Sequence, residues 1–317
     1  MFASVNCTQA PSETPSDAGV AGAGVLLSFI ITNGLALGLS AYIIILNLRK
    51  SSEAKIVRKL LNSFSDQQII TGIGIQSVGL AKMETMVPYH FFIIWMLSLL
   101  SAATHLATLL ALVNDFKRDW VLRWIRQFLM FINLILSCVF GIFVLKSVLK
   151  NLPPTLPIAC VWNVPGKGTP SNAGISIAGT IVVIAGNCVI FAISTWYLHN
   201  RGSQKWLKII QVVSLLVLTA IGVGAAIRVI LLSQAFGSPS VSLSDSGEKS
   251  WSFGQLLPLL LLLLPILSAI ELFRGEIKVT PSAVDDEHAP LFDGELQDRP
   301  PFPPNPFWGS RSNLFQK

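Results

Sequence analysis

A first group of polar and ionisable residues lies in a segment, 63–113, that is otherwise apolar. It combines a carboxyl, two amides, a hydroxyl and an imidazole: Asp66, Gln67, Gln68, Ser101 and His105. A carboxyl whose pKa is raised by burial can act as a general acid, and an imidazole can orient it or accept the last proton. Asp66 and His105 are therefore candidate catalytic residues, and Gln67, Gln68 and Ser101 are candidate substrate-binding residues.

The start of this group also has a purely structural interpretation. If a helix begins near residue 65, Ser65 and Gln68 have the spacing of a capping box, and Asp66 interacts favourably with the helix dipole. Capping does not explain Gln67 or His105. Both interpretations stay open at this point.

A second group lies at the other end of the same hairpin and comprises Glu84, Tyr89, His90 and Arg228. Arg228 is the only basic residue deep in its apolar stretch, and such an arginine either reaches the membrane surface or pairs with an acid. Glu84 is the rival candidate acid, and His90 and Arg228 are candidate substrate-binding residues. A structural ion pair between Arg228 and Glu84 is the alternative.

Metal and cofactor sites are not predicted. The histidines are scattered without HExxH spacing, no cysteine spacing is typical of zinc, and no acidic cluster of the DDxxD type is present. Gly-rich segments do not follow strands, so no dinucleotide or phosphate loop is expected.

These groups sit on long apolar stretches. Of 317 residues, 52% are hydrophobic and only 13% charged, so the chain is predicted to be an all-α, polytopic membrane protein in the lipid bilayer. The net charge of +6 does not indicate nucleic-acid binding, because the basic residues flank the apolar stretches. The predicted spans are about 24–46, 69–80, 89–113, 128–148, 175–198, 207–232 and 253–273.

The second span is short, and extending it from Asp66 to Lys82 gives about 17 residues, the lower limit for a crossing. Basic residues concentrate after the odd-numbered spans, which predicts a lumenal or extracellular N-terminus and a cytosolic C-terminus. This pattern requires all seven crossings. The predicted organisation is a polar N-terminal tail (1–23), a seven-helix domain (24–273) and a disordered cytosolic tail (274–317).

The predicted lumenal side carries features of a secretory-pathway membrane such as the endoplasmic reticulum. Cys7 and Cys160 both fall on this side and can form a disulfide in an oxidising lumen. Asn6 starts an Asn-x-Thr glycosylation sequence.

Two connections on this side differ in character. The connection 151–172 is apolar and aromatic, so Val161 and Trp162 either lie over the bundle as a lid or anchor the loop at the membrane interface. The connection 237–250 is typical of a solvated loop.

The runs FSDQQIITGIGI (64–75) and PYHFFIIWMLSLLSAATHLATL (88–109) resemble the hallmark of a group of fungal seven-span integral membrane proteins. Over about residues 17–273 the chain is similar to the membrane-bound terpene cyclases of ascofuranone- and macrophorin-type meroterpenoid pathways. The resemblance implies metal-independent cyclisation of a prenylated small molecule in fungal secondary metabolism. Such a reaction begins by protonating an epoxide or an olefin.

A receptor-like or transporter-like protein without enzymatic activity is the alternative, since seven spans with an outside N-terminus is also receptor topology. The third span ends in NDFKR (114–118) instead of a DRY motif, and the last span has neither NPxxY nor a lysine for retinal. A transporter should show paired halves or broken helices, for which the short second span is the only sequence candidate.

Overall fold

The structure, a computed structural model, describes residues 6–49, 55–118, 120–166, 168–170, 173–199 and 204–274. Its regular secondary structure there is helical, with one isolated β-bridge, which confirms the all-α prediction for the described residues. The helices are α1 (Ala18–Ala21), α2 (Ala23–Leu48), α3 (Lys55–Ala81), α4 (Pro88–Ala111), α5 (Val113–Arg118), α6 (Trp120–Leu149), α7 (Gly174–His199), α8 (Gln204–Leu232), α9 (Phe253–Leu261) and α10 (Leu263–Phe273), with a 3₁₀ helix at Ile158–Trp162. Apart from Arg274, the predicted cytosolic tail lies outside the described residues.

Among the described residues, six helical segments are long and apolar enough to cross a membrane, which supports an integral membrane protein. They are Ala18–Leu48, Pro88–Ala111, Arg123–Leu149, Gly174–His199, Lys208–Leu232 and Phe253–Glu271. The last of these contains Pro258 and is divided at Leu262 into α9 and α10.

Helix α3 differs most from the sequence-based expectation. It has 27 residues, about 40 Å at 1.5 Å per residue, and begins ten positions before Ser65. Leu61 and Phe64 are buried at 0% and 2% exposure, so the apolar face continues through this segment and the helix with it. The capping-box interpretation of Ser65 is therefore wrong.

Helix α4 is the centre of the bundle. Its membrane-length window is entirely buried, and it packs against α2, α3, α6 and α8. Polar groups along this helix bond to neighbouring helices: the hydroxyls of Ser98 and Ser137 lie 2.9 Å apart, and Asn33 Nδ2 donates to the Leu100 carbonyl at 2.9 Å. These bonds satisfy groups that hydrocarbon cannot.

Helices α2 and α9, which are far apart in sequence, pack against each other at a close contact. A Cβ on Gly24 would lie 2.0 Å from the carbonyl oxygen of Gln255, so only glycine fits there. Gln255 is itself buried, and its side-chain amide donates to the Ser250 carbonyl at 2.7 Å. The first and last apolar helices therefore hold the loop that leads into α9.

One end of the bundle is covered by connections, and we call it the disulfide end because Cys7 and Cys160 form a disulfide there. The 3₁₀ helix is fixed to the turn before α4, since the Ile158 N–H donates to the Met86 carbonyl at 2.8 Å. Residues 158–161 are fully buried, whereas Trp162 is 44% exposed. The segment is thus an integral part of the core, and only Trp162 projects from it.

The connection 237–250 is exposed at most of its residues, as predicted for a solvated loop, but it also packs against the protein and buries Val241 and Glu248. It forms a β-bridge with the N-terminal segment, in which the Thr14 N–H donates to the Ser242 carbonyl at 3.1 Å and the Ser244 N–H to the Thr14 carbonyl at 2.9 Å. Glu248 in this loop is fully buried. Backbone pairing with the tail allows a polar segment to pack where sequence indicates exposure.

Candidate functional site

The structure separates the two candidate catalytic residues of the first group. Asp66 forms an ion pair with Arg126 of α6, whose guanidinium also donates to Asn62 and lies 5.0 Å from the centre of the Phe116 ring. No hydrogen bond joins Asp66 to His105 within the described part of the chain. Because Arg126 supplies a full positive charge at the Asp66 carboxylate, the ion pair replaces the expected contact with the imidazole.

The other members of the first group pack α3 against α4. The Ser101 hydroxyl donates to the Gln68 carbonyl at 2.9 Å, and a Cβ on Gly72 would lie 2.3 Å from Ser101 Oγ. The Gln67 carbonyl accepts the Thr71 hydroxyl at 2.9 Å. His105 is buried at 1% exposure, and among the described residues no hydrogen-bond partner lies within reach of its Nδ1. This close helix contact stabilises the bundle and does not present a shared acid–base pair.

The second group contains a buried polar cluster at the disulfide end. The Glu248 carboxylate accepts the Tyr89 hydroxyl at Oε2, 2.8 Å away, and its Oε1 lies 2.7 Å from His90 Nε2. The Tyr89 oxygen also accepts the backbone N–H of Gln234 at 2.8 Å. We call Glu248, His90 and Tyr89 the acid cluster, because a carboxyl and an imidazole at this separation can share and transfer a proton.

Local sequence explains how the acid cluster is positioned. Pro88 occupies the first helical turn of α4, where its missing N–H costs nothing, so Tyr89 and His90 project from the start of the helix. On the other side, the Ala23 N–H at the start of α2 donates to the Glu248 carbonyl at 3.1 Å. The start of α4 therefore holds the side chain of Glu248, and the start of α2 holds its backbone carbonyl.

A cavity of about 400 Å³ borders the acid cluster. Glu248 and His90 are 0% and 3% exposed, and of the three residues only Tyr89 lines the cavity. Tyr89 therefore contacts the buried carboxyl and also forms part of the cavity wall. Much of the remaining wall is apolar, and includes Phe92, Val144, Val148, Leu152 and Leu232. This volume lies within the usual range for small-molecule sites, about 300–1,000 Å³.

Arg228 and Glu84 do not form the predicted ion pair. Arg228 is exposed on α8 and lines the same cavity as Tyr89. Glu84 is exposed in the turn after α3 and lines a different cleft, of about 890 Å³, which the N-terminal segment borders. The same cleft is lined by Thr14 and other residues of the N-terminal segment.

The remaining site residues lie at the same end. Asn6 is exposed, and its side-chain oxygen accepts the Thr8 N–H at 3.1 Å and the Thr8 hydroxyl at 2.6 Å. The Cα atoms of Cys7 and Cys160 are 5.5 Å apart. Within the described ranges, no group of three or more His, Cys, Asp or Glu side chains is arranged to hold a metal ion.

Sequence reasoning missed Glu248, the acid of the cluster. A single glutamate in a Ser- and Gly-rich loop looks solvated, and 158 positions separate it from His90. The available signal was indirect. Tyr89 and His90 are adjacent polar residues at the start of an otherwise buried helix, and buried polar groups need partners.

No protein-family model matches the chain, and neither a curated protein nor a solved structure shows significant similarity to it.

Proposed function

We propose that this protein is a membrane-bound terpene cyclase that closes the prenyl chain of a meroterpenoid intermediate by protonation, without a metal or cofactor. One observation carries the proposal: a fully buried carboxyl, Glu248, is hydrogen-bonded to a phenol, Tyr89, that borders an apolar cavity. Protonation-triggered cyclisation needs an acid, a dry cavity and a base for the final proton. The resemblance of about residues 17–273 to the membrane-bound fungal terpene cyclases is consistent with the same chemistry.

The proposed proton path runs through the acid cluster, and it requires the Tyr89 hydroxyl, which donates to Glu248 Oε2 in the structure, to turn its proton toward the cavity. Protonated Glu248 passes its proton to the Tyr89 oxygen while the Tyr89 hydroxyl proton moves to the epoxide oxygen or olefin of the substrate. The epoxide C–O bond breaks, or the olefin becomes a cation, and neighbouring π bonds form the new C–C bonds. The final cation then loses a proton, which returns through Tyr89 to the Glu248 carboxylate. The product is an isomer of the substrate.

Glu248 is the proposed general acid in place of the sequence-based candidates Asp66 and Glu84. Asp66 is 44% exposed in its side chain and is held in an ion pair with Arg126. Glu84 lines another cleft. Neither carboxyl is as well shielded from water as Glu248.

We also propose seven crossings, with α3 as the second, a lumenal N-terminus and a cytosolic C-terminus in the endoplasmic reticulum or another secretory membrane. The Cys7–Cys160 disulfide supports a lumenal disulfide end, because such bonds persist in oxidising compartments. The basic residues after the odd-numbered spans support the same orientation.

The direct test is expression in a yeast that lacks such pathways, with feeding of prenylated phenols that carry or lack a terminal epoxide. We expect ring-closed isomers of unchanged mass with the unaltered chain and not with Tyr89→Phe, which keeps the ring but has no hydroxyl proton to transfer. An exposed-surface variant, Trp196→Phe, serves as the expression control. If substrates bind to the purified protein but no isomer forms, the receptor-like alternative replaces the cyclase.

A further inference from the structure

Arg228 is a cation within a membrane-length helix, α8. It lies four residues before the end of α8, is exposed, and lines the cavity beside Tyr89. No hydrogen bond or ion pair joins it to another of the described residues. A charged side chain at such a site is costly unless it is paired or reaches water.

The cavity joins this cation to an apolar wall. Phe92 and Val144 lie on that wall, and the volume is about 400 Å³. Glu248 is fully buried, accepts the Tyr89 hydroxyl and lies beside His90, so it does not neutralise Arg228. The cavity is therefore complementary to a molecule with an apolar chain and a negatively charged group.

We propose that Arg228 binds a carboxylate on the head group of the prenylated substrate, so that the substrate class is a prenylated acid. A guanidinium presents a planar pair of N–H donors that matches the two oxygens of a carboxylate. With the head group held at Arg228, the prenyl chain lies along the apolar wall and passes Tyr89. This inference rests on the proposed function, because it assigns the ligand of the same cavity.

The test is a binding measurement that does not depend on turnover. Purified full-length protein in phosphatidylcholine nanodiscs is titrated with a farnesylated benzoic acid and with its uncharged methyl ester, using ligand depletion as the readout. Charge-assisted hydrogen bonds predict that the acid binds about ten- to a hundred-fold more tightly than the ester. Arg228→Gln should abolish this preference, and Arg228→Lys should keep part of it. Lys249→Gln, which removes an exposed charge in the loop 237–250, should leave the preference intact.

Equal binding of acid and ester, or an unchanged preference in Arg228→Gln, overturns the proposal. A second arm adds phosphatidic acid to the nanodiscs and follows lipid retention by native mass spectrometry. If the unaltered protein, but not Arg228→Gln, retains a phospholipid that the benzoic acid does not displace, Arg228 is a lipid site and the proposal is also overturned.

The two proposals fail in different ways. Selective binding of the acid without formation of an isomer removes the cyclase and leaves the acid-binding site. Cyclisation of the ester at the rate of the acid, unchanged in Arg228→Gln, leaves the cyclase and removes the carboxylate.

Discussion

Replacement of Glu248 separates its chemical contribution from its structural one. Glu248→Gln preserves the shape and can still hydrogen-bond Tyr89 and His90, but it has no acidic proton. Removing a general acid costs about 10²- to 10⁴-fold in rate, so we expect turnover to fall by that amount. The measurement is the initial rate of isomer formation by the purified variant in nanodiscs, followed by chromatography and mass spectrometry.

The stability of the same variant should change much less. A hydrogen bond between neutral groups contributes about 1 kcal/mol, and glutamine keeps a partner for both Tyr89 and His90, so replacing the protonated carboxyl should lower the free energy of unfolding by about 1 kcal/mol or less. Glu248→Ala leaves Tyr89 and His90 without their buried partner and should cost about 3–5 kcal/mol. Denaturant unfolding, monitored by tryptophan fluorescence, distinguishes the two variants.

The controls are the carboxyls that the structure places outside the acid cluster. Glu84→Gln should retain activity, and Asp66→Asn should weaken the contact with Arg126 while leaving turnover unchanged. If Glu248→Gln stays active while Asp66→Asn is folded and inactive, the acid lies at the other end of the bundle and our reasoning is refuted. An inactive Glu84→Gln would instead assign the acid to the cleft under the N-terminal segment.

Three further predictions concern the membrane topology, the disulfide and the docking of the N-terminal segment. A glycosylation tag placed before Ser16 should be modified and one after Asp285 should not, whereas modification of both indicates an even number of crossings. Replacing Cys160 by serine should lower the free energy of unfolding by about 2–5 kcal/mol, and thiol labelling of Cys7 without reductant in the unaltered protein would contradict the disulfide. Hydrogen bonds from the Ser16 hydroxyl and then from the Gly247 N–H hold the pKa of Asp245 below its usual range. The docking of the N-terminal segment should therefore be stabilised above the ordinary carboxyl pKa, and this stabilisation should be lost as pH falls through the lowered value. Limited proteolysis across acidic pH measures this effect, and Asp245→Asn should remove the pH dependence.

The central helix was predictable because its signal is local. Ser98, Ser101 and His105 recur at helical spacing within one apolar stretch, and a polar stripe in a membrane helix must face protein or water. The start of α3 was not apparent, because the charged segment before Ser65 hides an apolar face that includes Leu61. Periodicity is weakest where charges interrupt it.

The acid cluster was only half predictable. Tyr89 and His90 were visible as polar residues at a helix start, but the choice of acid depended on which distant loop folds over them. Glu84 is near in sequence and lies in another cleft, whereas Glu248 is distant and in contact. Likewise, Arg126 neutralises Asp66 across 60 positions. Pairings of this kind depend on tertiary packing, for which a single sequence has no local signal.

The close contact between Gly24 and Gln255 has a consequence for how the protein is made. The ribosome delivers Tyr89 and His90 to the membrane long before it reaches Glu248, and the loop is then held by contacts with α2 and α9. A nascent chain that stops before residue 248 therefore carries two polar side chains whose acid has not yet been synthesised. The acid cluster is complete only after α9 has packed against α2, so Tyr89 and His90 lack their carboxyl partner until residue 248 has been made.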